Sequence, residues 1–200
     1  MTSSAIILNG GRARRMSGAD KAQIKISGRS VLERQLEVLS QRFDAIAMVK
    51  QEPVDLAGHR LVSLVDRVGG LGPLDGIASG LAWSPEPWLF VMASDMPYPS
   101  LSLIDALLSA RSDSSDLVGA SIAGRAQPLF ALYHRRLLPA LEACLSERRL
   151  RASALLSNPP SGVRVTLLPE AEVLRLDPKL QSFHNLNSPK DVLTSGGQIK

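Results

Sequence analysis

A chain of 200 residues with 44% hydrophobic and 21% charged side chains has the material for one core of moderate size, and this balance argues against disorder. The net charge of +4 suits an anionic small molecule, while only 4% aromatic residues and no dense basic stripe argue against nucleic acid as the partner. Cys144 is the only cysteine, so an intrachain disulfide and a cysteine metal cluster are both excluded; in its apolar setting it reads as a small buried thiol.

In chain order, "AIIL" (5–8) predicts a strand. "SVLERQLEVLSQRF" (30–43) predicts a helix, with Ser30 as N-cap, Glu33 completing a capping box, and Leu32, Leu36 and Leu39 on one face. "AIAMV" (45–49) and "LVSLV" (61–65) predict two more strands, and "LDGIASGLAW" (74–83) a helix despite Gly76 and Gly80. "WLFVMA" (88–93) is the most hydrophobic run and predicts a central strand, followed by a helix over 102–111. Beyond Asp116 come two candidate strands, "LVGAS" and "PLFALY", a helix near 136–147, a loop at "SNPPSG" and a frayed tail, "TSGGQIK". The N-terminus has no charged region and too short an apolar run for a signal peptide, and no segment approaches the roughly 20 apolar residues of a membrane span, so the expected location is the cytoplasm.

Apolar strands alternating with helices predict an α/β fold, a mostly parallel central sheet with helices on both faces. In such folds ligands sit beyond the carboxyl ends of the strands. The residues at those ends are Asn9, Gly10 and Gly11 after the first strand, Asp66 after the third, and Ser94 and Asp95 after the central one.

Gly10 and Gly11 let backbone N–H groups approach a ligand without an intervening Cβ, and clustered amides favour anions. Arg12, Arg14, Arg15 and Lys21 add positive charge, so the segment reads either as a phosphate-binding loop or as a solvated basic one. Neither the P-loop spacing nor the dinucleotide fingerprint is present. Asp95 stands on a rigid strand end, where a carboxylate either braces the turn or helps hold Mg²⁺; the phosphate-seeking loop on the same edge favours the cation. The glycines of "GGLGPLDGIASG" (69–80) permit close backbone approach, either to a flat ligand or to neighbouring elements. His59, His134 and His184 share no ligand spacing and read as structural or surface groups.

"LNGGRARRMSGADKA" resembles the L-A-G-G-x-x-x-R-M-G-x-D-K signature of nucleotidyltransferases that act on the molybdenum cofactor. "GPLDGIASGL" resembles their G-P-L-x-G-I-x-x-G-L loop, and "SDMP" their strand-end D-x-P. "PLFALYHRRLLPALEACLSERRLR" and "FHNLNSPKDV" look like their later blocks. The likeness is collinear from Ile6 to Val192 and is nearest to the molybdenum cofactor guanylyltransferase family. It implies a Rossmann-like nucleotidyltransferase in which residues 1–200 form a single domain, the N-terminal half binding GTP and the C-terminal half molybdopterin.

The implied reaction transfers GMP from GTP to the phosphate of molybdopterin or the molybdenum cofactor, with Mg²⁺ as cofactor and pyrophosphate as the second product. The resemblance implies nucleotide contacts at Leu8, Asn9, Gly10, Gly11, Lys21, Asp66, Gly76 and Asp95, with Arg15, Lys21 and Asp95 catalytic and Asp95 the metal ligand. It links Asn185 and Asn187 to the pterin side; in "ERRLR", Arg149 is either a contact for the pterin phosphate or part of a solvated helix end. Asn9 stands where the family usually has alanine, and Asp75 places an acid beside the base loop. Other implied partners are transient contacts with cofactor-biosynthesis proteins or molybdoenzymes, and neither nucleic acid nor a membrane. The alternatives are a cytidylyltransferase for the same cofactor, whose members usually begin Leu-Ala-Ala-Gly, and a non-catalytic nucleotide-binding maturation factor.

Overall fold

The computed structural model describes residues 2–9, 22, 24–50, 61–65, 71–187, 189–194 and 197–198. The chain opens with β1 (Ser3–Leu8), the short strands β2 (Lys25–Ile26) and β3 (Arg29–Ser30), and α1 (Val31–Leu39). β4 (Ile46–Lys50), β5 (Val62–Val65), α2 (Pro73–Trp83), β6 (Trp88–Ala93) and α3 (Leu101–Ser109) follow. Then come β7 (Leu117–Ile122), β8 (Arg125–Ala126), β9 (Phe130–His134), α4 (Leu138–Ser146) and α5 (Ala154–Ser157). The chain continues through β10 (Val165–Leu168), α6 (Glu170–Leu176), α7 (Pro189–Thr194) and β11 (Gly197–Gln198).

The main sheet has the order β10-β7-β9-β6-β1-β4-β5, with β8 paired to β7. β1 pairs in parallel with both β4 and β6, β4 with β5, and β7 with β10; β9 runs antiparallel between β6 and β7. The sheet is therefore mostly parallel, as the unbroken apolar runs predict. Alternate residues of each strand feed two cores. Ala5, Ile7, Met48, Phe90 and Met92 face Leu32 and Leu39 of α1, Leu103, Ile104 and Leu107 of α3, and Val173 of α6. Ile6, Leu8, Ala47, Val49, Leu89 and Val91 face Leu74, Ile77 and Leu81 of α2 and Leu141 and Cys144 of α4. All six residues of β6 are buried, which places it at the centre.

Local sequence sets the helix starts. Ser30 accepts from the Glu33 N–H at 3.1 Å and the Glu33 carboxylate accepts from the Ser30 N–H at 2.6 Å, completing the capping box. α2 begins at Gly72-Pro73; Gly72 has φ of 78° and ψ of −160°, a conformation reserved for glycine, and Pro73 pre-sets the first turn. Gly80 answers the question raised by glycines inside a helix: a Cβ there would stand 2.5 Å from Ile6 Cδ1 and 2.9 Å from Leu89 Cδ2. Close packing of α2 onto β1 and β6 accounts for it.

Three features differ from the sequence expectation. The first helix stops at Leu39, because Ser40 to Phe43 fold back in tight turns onto Leu36, Val38 and Leu39 carbonyls. The tail is not wholly frayed: Gly197 and Gln198 pair antiparallel with Ile26 and Lys25 in a second, three-stranded sheet with β3. β10 and α6 lie between the "SNPPSG" loop and the tail, where the sequence suggests no element, and they cover the β7 edge. Cys144 is buried, as expected. Among the described residues no helix is long and apolar enough to cross a membrane.

Candidate active site

The chain order β1, β4, β5 builds the sheet in one direction, and β6 then returns to the other side of β1. The strand order reverses between β1 and β6, and it is at such a switch point that open α/β sheets bind ligands. The residues just beyond the two strands meet there. Asn9 N–H donates to Val49 C=O and Ser94 N–H to Leu8 C=O, each at 2.9 Å, extending the ladder past the strand ends. The Ser94 hydroxyl donates to Asn9 Oδ1 at 2.9 Å. Leu8 and Ser94 are buried, and Asn9 and Asp95 half-buried, so Asp95 is presented from a fixed base.

The turn carrying Asp95 is held from two further directions. Gln35 of α1, fully buried, donates through Nε2 to the carbonyls of Ala93 and Met96, both at 2.9 Å. Leu186 N–H donates to the Asp95 carbonyl at 2.9 Å, bringing the late Asn185–Asn187 segment onto the end of β6. Asn187 N–H in turn donates to the Asp191 carboxylate of α7 at 2.9 Å. Asn185 Oδ1 is buried beside this junction with no hydrogen-bond partner among the described residues.

The predicted site residues thus fall into three groups. Leu8, Asn9, Asp95, Asn185 and Asn187 come together at the carboxyl edge of β1 and β6. Gly76 and the fully buried Asp75 lie in the first turns of α2, which starts beyond the same edge. Arg149 is exposed beyond the end of α4; its N–H bonds Cys144 C=O and its guanidinium pairs with Glu147 at 2.6 Å, contacts that do not reach the Asp95–Leu186 junction. Gly10, Gly11, Arg15, Lys21 and Asp66, with Arg12, Arg14 and His59, lie outside the described residues.

The sequence reading missed Gln35, Ser94 as a partner of Asn9, and the Leu186 amide. Only Gln35 carried a signal: it shares the buried helix face with Leu32 and Leu39, where an amide is out of place.

Among the described residues no group of three or more His, Cys, Asp or Glu side chains can hold a metal. The Asp95 carboxylate is a hard oxygen donor of the kind Mg²⁺ takes together with water and phosphate oxygens.

The opposite edge of the sheet is structural. Asp116, before β7, accepts from Arg136 Nε at 2.9 Å and from the Arg164 N–H at 3.0 Å, with further contacts to the Arg164 guanidinium. Hydrogen bonds from Arg164 hold its carboxyl well below the usual carboxylate range. His134 Nδ1 accepts from the Arg136 N–H at 3.1 Å, its ring meets Trp88 edge-on, and burial lowers its pKa. These contacts give His134 a structural role, and His184 lies exposed.

Residues 5–160 match the MobA-like NTP transferase domain. The chain belongs to this family. It is a nucleotidyltransferase by that membership. It is 31% identical over 194 residues to a probable molybdenum cofactor guanylyltransferase of Natranaerobius thermophilus, covering 94% of this chain and 92% of that one. It is 33% identical to a molybdenum cofactor guanylyltransferase of Rhodopseudomonas palustris, covering 94% and 90%. In fold it resembles molybdopterin-guanine dinucleotide biosynthesis protein A from Archaeoglobus fulgidus, with a TM-score of 0.79 at 22% identity, covering 98% of this chain and 97% of that one. The 2-C-methyl-D-erythritol 4-phosphate cytidylyltransferase of Thermus thermophilus shares the fold at a TM-score of 0.69 and 18% identity, covering 98% of each chain. The MobA-like match and the Gly72-Pro73-Leu74 start of α2 agree with the motifs read from the sequence.

Proposed function

We propose that this MobA-like transferase moves GMP from GTP to the phosphate of molybdopterin or the molybdenum cofactor, giving the guanine dinucleotide and pyrophosphate. The observation that carries the reading is the junction of Asp95 with the Asn185–Asn187 segment through the Leu186 amide. It joins a strand-end carboxylate suited to a nucleotide-bound cation to a block whose Asn185 Oδ1 still has an acceptor to satisfy. The names carried by the relatives supply the substrate class. A single domain then divides its labour, the N-terminal half binding GTP and the C-terminal half the pterin.

In the reaction a phosphate oxygen of the acceptor bonds the α-phosphorus of GTP, the bond from that phosphorus to the α–β bridging oxygen breaks, and pyrophosphate leaves with the electron pair. Both reactants are anions, so charge neutralisation and alignment are the main tasks of the protein. Asp95 would hold Mg²⁺, which supplies neutralising charge to phosphate oxygens. Lys21 and Arg15, assigned by resemblance, meet the charge that grows on pyrophosphate. No general base is needed, because a phosphate monoester is already ionised at neutral pH. The N-terminal glycines admit the nucleotide, and the start of α2 lies beside the base. We assign the enzyme to the cytoplasm, with transient handover to cofactor-biosynthesis proteins or molybdoenzymes.

The test supplies purified protein with molybdopterin, Mg²⁺ and either α-labelled GTP or α-labelled CTP. Labelled guanine dinucleotide with pyrophosphate release is expected from GTP. Product from CTP alone would make this the sister cytidylyltransferase, and no product from either would make it a binding factor.

A further inference from the structure

We propose that Gln35 is a positioning residue for the cation site, acting through the Ala93–Met96 turn; this rests on the reading of Asp95 given above. Gln35 is 0% exposed, and both protons of its Nε2 are spent on carbonyls, one on each side of Ser94-Asp95. The amide orientation is unambiguous, since the flipped form would turn an oxygen toward two carbonyl oxygens.

The same side chain carries a cost. Gln35 Oε1 is buried with no hydrogen-bond partner among the described residues. Such a group loses its solvation without replacement, and an apolar side chain of similar size would fill the space without that loss. The amide is therefore accounted for by its two donors and not by volume. With Ser94 N–H on Leu8 C=O and Leu186 N–H on Asp95 C=O, these donors hold the turn from β1, from α1 and from the C-terminal segment. α1 is a rigid platform for this: it is capped by Ser30 and Glu33, and Leu32 and Leu39 are seated in the core on either side of Gln35 along the helix. A carboxylate that contributes one ligand to a cation depends on such second contacts for its direction.

The test measures binding of a non-hydrolysable GTP analogue with and without Mn²⁺, taking the ratio of the two affinities as the readout. Wild type, Gln35→Met and Asp95→Ala are compared, alongside each Tm. Met keeps the volume, and Gln35→Leu serves if Met disturbs folding at that depth. For a folded Gln35 variant, the metal-dependent gain falls about 10-fold or more, the scale of lost outer contacts to a metal ligand. Its metal-free affinity stays within about twofold of wild type. A Gln35 variant with the wild-type ratio, while Asp95→Ala loses the gain, would make Gln35 a core residue only and leave the proposed function standing. A wild-type ratio in Asp95→Ala would overturn the metal site and this inference together.

Discussion

Leu186 donates its backbone N–H to the carbonyl of Asp95 at 2.9 Å, joining the last turn-rich segment of the chain to the end of its central strand. The bond brings residues far apart in sequence to one edge of the sheet. In the function proposed above, Asp95 serves the nucleotide-bound cation, while Asn185 and Asn187, on either side of Leu186, serve the acceptor.

Replacement of Asn185 or Asn187 by alanine is expected to raise the KM for molybdopterin about 3- to 10-fold, the scale of one lost hydrogen bond, with the KM for GTP unchanged. Steady-state kinetics with each substrate varied separately checks this. A shift in GTP KM with none in molybdopterin KM would reverse the assignment.

Lys21→Ala is expected to weaken GTP binding and slow the chemistry, since a point charge beside the triphosphate contributes to both. Isothermal titration with a GTP analogue reads the first effect; unchanged affinity would remove Lys21 from the phosphate contacts.

Gly80→Val is expected to cost about 2 kcal/mol of stability through overpacking. The added atoms would meet Ile6 and Leu89, both fully buried, between α2 and the sheet. Urea unfolding measures the difference, and stability equal to wild type would show that α2 has room to move.

Asp116 gives the fold an acid-sensitive clasp. Its carboxyl is held below the ordinary value of 3.8, so its stabilisation is complete above that pH and is lost as pH falls through the depressed folded value. Thermal unfolding followed from about pH 7 down to about pH 2 should show wild type losing Tm more steeply than Asp116→Asn once the pH falls below 3.8, the gap between the two curves narrowing toward the acid end. Parallel curves would mean that the Arg136 and Arg164 contacts contribute nothing.

The main strands and the first helix were legible because local rules fix them. Unbroken apolar runs marked β1, β4 and β6, and the Ser30–Glu33 pair marked the start of α1. The strand-end rule then places Asn9, Ser94 and Asp95 on one edge. What stayed hidden depends on partners distant in sequence. The antiparallel pairing of β11 with β2 rests on two-residue strands with no periodic signal. The Leu186–Asp95 bond uses backbone atoms, which every residue carries, so no side-chain pattern announces it. Gln35 is intermediate: its place on an apolar helix face was visible, but its two carbonyl partners were not.

The most direct measurement is turnover of Asp95→Ala against wild type, with GTP, molybdopterin and saturating Mg²⁺, on protein shown to be folded. With Asp95 as the cation ligand, a fall of about 10²–10³ is expected, the loss typical of one electrostatic stabiliser at a reacting centre. Near-normal turnover in that variant would contradict that role.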